Sequence, residues 1–369
     1  MPETFSFGVD PVTTHAWNRD RSEVAVSLNN HEVKVYKKTG ITYNNTATLQ
    51  EHGQRVTSID WAQKSNSIVT CGADRNAYVW TLQGNGQWKP VLVILRINRA
   101  ATCVRWSPDE NKFAVGSGAR IISICYFEEE NKWWVSKHIK KPIRSTVTCI
   151  DWHPNNILLA AGSTDFKARV FSGYIKDVEQ KPSATAWGAK MTLGNLMCEY
   201  SNGGGGWVHN VSFSPSGEKL AWVGHDASVS VAMAGGDKIA VVKGNFLPFM
   251  SMTWVTENSM VCVGYDCCPK LFSHSDDGQV TFITDLDIPQ EKDQMTMSAM
   301  NRFRQMDKTG TAENTGEIKT KHQNTITKVS VFAGTKADCT KFSTSGADGQ
   351  MIIWDFKSLE KSVSGLRIA

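Results

Sequence analysis

The chain has 369 residues, 41% hydrophobic and 21% charged, with 40 basic against 36 acidic side chains and a net charge of +4. That supply of apolar residues excludes disorder as the main state, and so even a balance does not mark a nucleic-acid or membrane-surface protein. No apolar run is longer than that of Val91–Leu95, too short to cross a bilayer, and polar Met1–Asp10 does not read as a secretory signal, so a soluble protein of the cytosol or nucleus is expected.

Nine cysteines, an odd number with no Cys-x-x-Cys pair, sit mostly in apolar runs, as do Cys71, Cys103, Cys125 and Cys149. They read as small buried hydrophobes of a reducing compartment. In chain order, Thr4–Phe7 comes first, with Phe5 and Phe7 at strand spacing. Then an apolar stretch closed by an aromatic recurs at His15-Ala16-Trp17, Ile59-Asp60-Trp61, Val104-Arg105-Trp106, Ile150-Asp151-Trp152, Val211-Ser212-Phe213 and Met252-Thr253-Trp254, with a weaker copy at Val329-Ser330-Val331. Pro108, Pro154 and Pro215 stop three of these strands.

A second marker follows each first one: a turn, usually with Asp, six residues ahead of a bulky or apolar position. The end positions are 36, 80, 125, 171, 232, 272 and 354. Four of the intervals fall close to the ~40–45-residue period of a propeller blade, and the other two carry insertions of roughly 17 and 38 residues. Short segments such as Val33-Lys34-Val35-Tyr36 and Ile352-Ile353-Trp354 read as strands. One such sheet cannot bury its own faces, whereas a ring of them can. The expected fold is all-β: one seven-bladed β-propeller over 1–369. Thr4–Phe7 is expected to supply the outer strand of the last blade, because an open ring exposes two sheet edges.

These residues resemble the WD-repeat family. Trp354-Asp355 is the only literal Trp-Asp pair. Two copies carry the family's hydrogen-bonding set in full: His52, Thr70, Asp74, Trp80, and His322, Thr344, Asp348, Trp354. A buried carboxylate needs donors, which this set provides. Ala161, Trp222 and Cys262 hold the Thr position elsewhere, so those blades are expected to lean on packing.

No phosphate-binding loop or catalytic constellation stands out, and neither an enzyme nor a cofactor is expected. Gly203–Gly206 reads as a flexible loop. Cys262, Cys267, Cys268 and His274 form the one cluster to weigh as a metal site; Cys267 and Cys268, read as neighbours on a strand, would point to opposite faces, which argues against a shared ion. Lys137–Arg144 reads as a basic loop, either a solvated turn or a docking patch for an acidic protein surface; Glu128–Glu130 nearly cancels it, against nucleic acid as the partner. Of the adjacent Trp133 and Trp134, one should face away from the sheet's packed side. The first insertion, Lys181–Gly206, is either a docking surface or a packed loop; it contains Trp187, Met191 and Met197.

The second insertion, about 286–324, has charged and polar flanks around a helix-forming stretch over about 295–308. At ~100° per residue, Met295, Ala299, Phe303 and Met306 fall within one narrow apolar stripe, with Met300 at its margin and Arg304 and Lys308 facing away. Such a helix either lies on the propeller or projects and buries its stripe in a partner's groove. A helix this short is marginal alone. Burying three or four such side chains yields ~5–9 kcal/mol before ordering costs, so it would act as one arm of a multivalent contact.

Several strings narrow the resemblance: Lys132-Trp133-Trp134-Val135, Lys137–Val147, Asp151-Trp152-His153-Pro154-Asn155-Asn156, Leu159–Lys167 and Trp354–Glu360. Together with Arg302-Phe303 and Asp307-Lys308 in the insertion, they resemble the propeller-subunit family (subunit 1) of the actin-related protein 2/3 complex along essentially the whole chain. The resemblance implies a non-enzymatic subunit of an assembly that nucleates branched actin filaments in the cytoplasmic actin cytoskeleton. It implies contacts with the other subunits, with the existing actin filament and with nucleation-promoting factors, and assigns Met300, Arg302, Phe303 and Met306 to the actin-facing set. It implies neither a nucleic-acid nor a membrane partner. The competing class is a substrate-recognition or adaptor propeller of ubiquitin-ligase or chromatin type. That class calls for a cluster of Arg or aromatic residues around the channel mouth, which the sequence does not display.

Overall fold

A computed structural model describes residues 2–275, 277–287 and 319–362. Its strands form seven separate four-stranded antiparallel sheets. Blade 1 is β2 (Thr14–Trp17), β3 (Glu23–Ser27), β4 (Val33–Thr39) and β5 (Thr42–Leu49). Blade 2 is β6 (Val56–Trp61), β7 (Ile68–Gly72), β8 (Ala77–Leu82) and β9 (Trp88–Val93). Blade 3 is β10 (Ala101–Trp106), β11 (Lys112–Ser117), β12 (Ile122–Glu128) and β13 (Trp133–Ile139). Blade 4 is β14 (Val147–Trp152), β15 (Leu158–Ser163), β16 (Ala168–Ser172) and β17 (Leu196–Tyr200). Blade 5 is β18 (Val208–Phe213), β19 (Lys219–Gly224), β20 (Val229–Met233) and β21 (Ile239–Val242). Blade 6 is β22 (Phe249–Trp254), β23 (Ser259–Gly264), β24 (Lys270–His274) and β25 (Val280–Asp285). Blade 7 is β26 (Ile326–Ala333), β27 (Lys341–Gly346) and β28 (Gln350–Asp355), completed by β1 (Glu3–Ser6) from the other end of the chain. The one helix among the described residues, α1 (Phe356–Ser362), buries Phe356 and Leu359 against blades 6 and 7.

The first strand of every blade lines the axis and touches the first strand of the next, and β26 meets β2, so the ring is closed. Seven apolar clusters hold it, each drawn from two neighbouring blades. Every fully buried aliphatic or Phe side chain in them contributes about 1.5–3 kcal/mol over its exposed state. The last cluster joins Met351 and Ile353 of blade 7 to Val12, Trp17, Val24 and Val26 of blade 1.

Polar clasps repeat between the blades. Six of the seven axial strands carry a register shift near their start, for example between Val56 and Ser58 and between Ala101 and Cys103. A bulge re-aims the extra side chain. At four of them that residue is Thr, and its hydroxyl donates to a carbonyl of the next blade: Thr57 to Ala101 (2.9 Å), Thr102 to Val147 (2.5 Å), Thr148 to Val208, and Thr327 to Val12 (2.6 Å). Asp60 and Asp151 accept from the backbone N–H of Trp106 (2.7 Å) and Phe213 (2.9 Å) in the following blade. These links give backbone carbonyls and N–H groups at the blade boundaries partners in the neighbouring blade, as buried backbone polar groups require.

Closure draws on the same chemistry. β1 pairs with β28 from Glu3 opposite Ile353 to Ser6 opposite Gln350. Phe5 meets Tyr43 edge-on at 4.7 Å, and Phe7 lies 4.6 Å from Tyr36. Across the seam, His15 Nδ1 meets Ser345 Oγ at 2.8 Å and Nε2 meets Ser330 Oγ at 2.7 Å, while the Trp17 indole donates to Ser343 Oγ at 2.9 Å.

Burial pushes His15 down to about 3, helped by the positive charges of Lys328 and Arg105. The unfolded imidazole titrates near ~6.5. Between those values the unfolded chain takes up a proton that the folded chain refuses, so this stability is present above about 6.5 and is lost as pH falls from there toward 3. Urea midpoints of the wild type should therefore drop between about pH 7 and about pH 5, and His15→Gln should flatten that slope. An unchanged slope in the variant refutes the assignment.

Candidate partner interface

In a four-stranded meander the turn after the second strand and the connection to the next blade lie on one side, the remaining two turns on the other. The first side is called the upper face here. Both full His–Thr–Asp–Trp sets lie there. In blade 2 the Trp80 indole donates to Thr70 Oγ1 (3.0 Å), Thr70 Oγ1 meets His52 Nε2 (2.8 Å), and His52 Nδ1 meets Asp74 Oδ2 (2.9 Å). In blade 7 Trp354, Thr344, His322 and Asp348 repeat the chain at 2.8, 2.8 and 3.0 Å. Since the indole can only donate, the Thr hydroxyl donates onward to Nε2 and the imidazole N–H faces the carboxylate, a relay in which each donor finds an acceptor. Burial, partly offset by Asp74, lowers the His52 pKa. Burial opposes ionisation of Asp348, yet hydrogen bonds from His322 and the N–H groups of Gln323 and Gln350 hold it below the ordinary carboxylate range.

Sequence reasoning passed over two glycines on which these relays depend. A Cβ on Gly72 would lie 2.7 Å from His52 Nδ1 and 2.8 Å from Asp74 Oδ1. On Gly346 it would lie 2.6 Å from Asp348 Oδ1 and 2.8 Å from His322 Nδ1. Elsewhere the turn aspartate finds other partners. Asp165 takes the buried Arg169 guanidinium (2.9 Å), Asp226 takes Ser228 (2.7 Å) and Lys243 (3.1 Å), and Asp266 takes Lys270 (3.6 Å). Ala161, Trp222 and Cys262 in the Thr position are buried in apolar clusters, as expected, and the turn aspartates of those blades take ionic and hydroxyl partners in place of the histidine.

The second insertion leaves and returns at one point of this face. Leu286 is buried against blade 7 and its N–H donates to Pro269 O (2.8 Å). Asp287, also buried, accepts from both the backbone N–H and the ammonium of Lys321. Lys321 Nζ sits 5.4 Å from the centre of the Trp354 ring, so the stem is fastened to the blade 7 relay. Met300, Arg302, Phe303 and Met306, and the helix over about 295–308, lie outside the described residues.

The upper face exposes apolar side chains on blades 4 to 6: Phe166 and Tyr265 in the turns after β15 and β23, Trp207 and Leu247 in the connections before β18 and β22. Arg96, Arg99 and Arg120 surround a shallow cavity of about 660 Å³ on the same face, near blades 2 and 3. The expected basic loop is only in part a loop. Lys137, His138 and Ile139 close β13, with Lys137 paired to Asp177 (2.6 Å) and His138 bonded to Leu95 O (2.8 Å). Only Lys140, Lys141 and Arg144 remain on the exposed connection. As alternation requires, Trp133 is 58% exposed while Trp134 packs on Trp106, Phe113 and Phe127.

Of the first insertion, Lys181–Gly206, the part before β17 is a packed loop of blade 4, while β17 itself and the connection to β18 make up the rest. Trp187 and Met191 are buried against Phe213, and the Trp187 indole donates to Gly217 O at 2.8 Å, bridging blades 4 and 5. Cys267 and Cys268 lie in the turn between β23 and β24 rather than on a strand, with Cys267 at φ +56°. Among the described residues no three His, Cys, Asp or Glu side chains group as metal ligands. All nine cysteines are free thiols, and eight of them are buried.

Removing a relay's clearance should be costly. Gly346→Ala should destabilise the fold by about 1–3 kcal/mol in urea unfolding, the range for breaking a buried polar network. Gly53→Ala, where a Cβ meets nothing within 4 Å, should change little. Equal effects at the two sites refute the clearance argument.

The profile of the WD domain, G-beta repeat family matches residues 43–81 and 136–172. Each match takes in the outer strand of one blade and three strands of the next. Curated relatives run the whole length. "Actin-related protein 2/3 complex subunit 1A-B" of Xenopus laevis is 59% identical over 98% of both chains. "Actin-related protein 2/3 complex subunit 1" of Schizosaccharomyces pombe is 43% identical over 93% of this chain and 96% of the relative. "Actin-related protein 2/3 complex subunit 1A" of Arabidopsis thaliana is 41% identical over 96% of both. With seven closed blades, WD-repeat relays and this full-length likeness, the chain belongs to the family of subunit 1 of the actin-related protein 2/3 complex.

Proposed function

We propose that the chain acts as a non-enzymatic subunit of an actin-related protein 2/3 complex, supporting assembly of the complex and contacting the existing actin filament during branched nucleation. The observation that carries this reading is likeness from end to end, insertion included, to relatives that bear the complex's name. The closed ring supplies a rigid body for the other subunits. Its upper face offers exposed aromatics and a group of arginines, Arg96, Arg99 and Arg120, for docking, the mixture that protein interfaces favour. The region 286–324 is the filament-facing arm, with Phe303, Met300 and Met306 as its apolar anchors and Arg302 as its charged one. Nucleation-promoting factors are further partners, and the cytoplasmic actin cytoskeleton is the place of action.

The arm alone binds weakly, because few side chains are buried and a short helix must order on contact. Added to other contacts it acts through effective concentration. Phe303→Asp should therefore leave the ring folded and the chain in stoichiometric complex with actin-related proteins, yet weaken filament binding about tenfold or more, as expected for losing one buried aromatic anchor. Branch density in a pyrene-actin and microscopy assay should fall with it. Normal branching by the variant refutes the arm's role. Failure of the wild type to co-purify with actin-related proteins refutes membership of the complex.

A further inference from the structure

The axis of the ring holds a cavity of about 370 Å³, lined by residues from the axial strand of every blade. The loop after β26 closes over one end. From it Lys336 reaches across to the opposite side, where its ammonium pairs with Asp151 Oδ2 (2.8 Å) and meets Ser212 Oγ (3.0 Å). Charges inside come from several blades. Blade 1 gives His15 and Arg21, blade 2 Asp60, blade 3 Arg105, blade 4 Asp151, and blade 7 Lys328 and Lys336; blades 5 and 6 contribute only the uncharged Asn210, Val211, Ser212, Met252 and Thr253.

Matching these charges leaves a remainder. Asp151 is taken by Lys336. Asp60 accepts the Trp106 N–H and is opposed by Arg105. Arg21 donates to Asn18 O, Gln63 Oε1 and Phe332 O, with Asp20 opposing its charge. His15 is a neutral ring held by serine hydroxyls. Lys328 is left: it is half-buried on the channel wall, with only the longer-range pull of Asp60 and Asp151, and no hydrogen bond or ion pair to it occurs among the described residues. An ammonium partly withdrawn from water and without a direct partner is costly to a fold.

We propose that the channel binds one small oxyanion between Lys328 and Arg105. Both cations line the same cavity and repel each other, and the amide of Asn210 in the same lining offers a further donor. A bound anion neutralises the surplus charge and ties blade 3 to blade 7 across the axis. It raises the melting temperature by mass action.

Burial and the nearby Arg105, only partly offset by Asp60 and Asp151, drive Lys328 from 10.5 down to about 7. An anion favours the charged ammonium, so binding is strongest where Lys328 keeps its proton. The affinity should be level below about pH 7 and weaken toward tenfold per pH unit above it.

Sulfate is the probe, since its charge is constant over this range. Equilibrium dialysis of labelled sulfate against the purified full-length chain, at fixed ionic strength, should show one saturable site that weakens between about pH 6 and about pH 9. Phosphate and succinate as competitors separate a tetrahedral oxyanion from a dicarboxylate. Lys328→Met should abolish the site while the circular dichroism spectrum stays native. Lys328→Arg should keep it and lose the pH dependence, which provides the test should the first variant fail to fold. Absence of a saturable site in the wild type, full binding by Lys328→Met, or an unchanged pH profile in Lys328→Arg overturns the proposal.

Discussion

A ring of sheets must close on itself, and the pairing of β1 with β28 is the interaction on which the rest depends. Each blade buries its faces only against its two neighbours, so a missing seam would expose the apolar faces of blades 1 and 7 together with two strand edges. The chain meets this by offsetting sequence from structure. One repeat runs from the outer strand of a blade through three strands of the next, and the strand left over at the C-terminal end is supplied from the N-terminal end. The two halves of blade 7 therefore lie more than three hundred residues apart, a loop whose entropy the seam contacts must offset. His15, Trp17, Phe5 and Phe7 add polar and aromatic contacts where the backbone pairing is short.

The same seam frames the insertion. Its stem, pinned by Asp287 and Lys321, rises beside the His322–Asp348 relay of blade 7. An insertion transmits force or position to the ring only through a fixed root. Here the root is a buried carboxylate, a cation over an indole ring and a hydrogen-bond chain in which each donor finds an acceptor. One of the ring's two complete relays thus stands beside the root of the insertion, which ties the function proposed for the arm to the stability of blade 7.

Much of the fold was legible in the sequence because propeller blades repeat their constraints. Trp17, Trp61, Trp106 and Trp152 end axial strands at nearly regular distances, and Asp74 and Asp348 stand at the turns that the relay chemistry requires. The role of Thr4–Phe7 followed from the need to cover an edge. Features that arise only from spatial neighbours were not legible. Thr57, Thr102, Thr148 and Thr327 look like ordinary strand residues until a bulge turns their hydroxyls toward the next blade. Arg169 replaces a histidine from a different strand position. Trp187 gave no sign of whether it faced a partner or Phe213. The alternation assumed for Cys267 and Cys268 failed because a left-handed turn, not a strand, holds them. Sequence periodicity reports which faces are buried; it does not report what lies across the gap.

The most direct test of the account asks where the arm lies when the complex sits on a filament. A benzophenone photo-crosslinker in place of Phe303, activated at branch junctions and mapped by mass spectrometry, should join this chain to actin of the pre-existing filament. Crosslinks confined to the chain's own blades would contradict it.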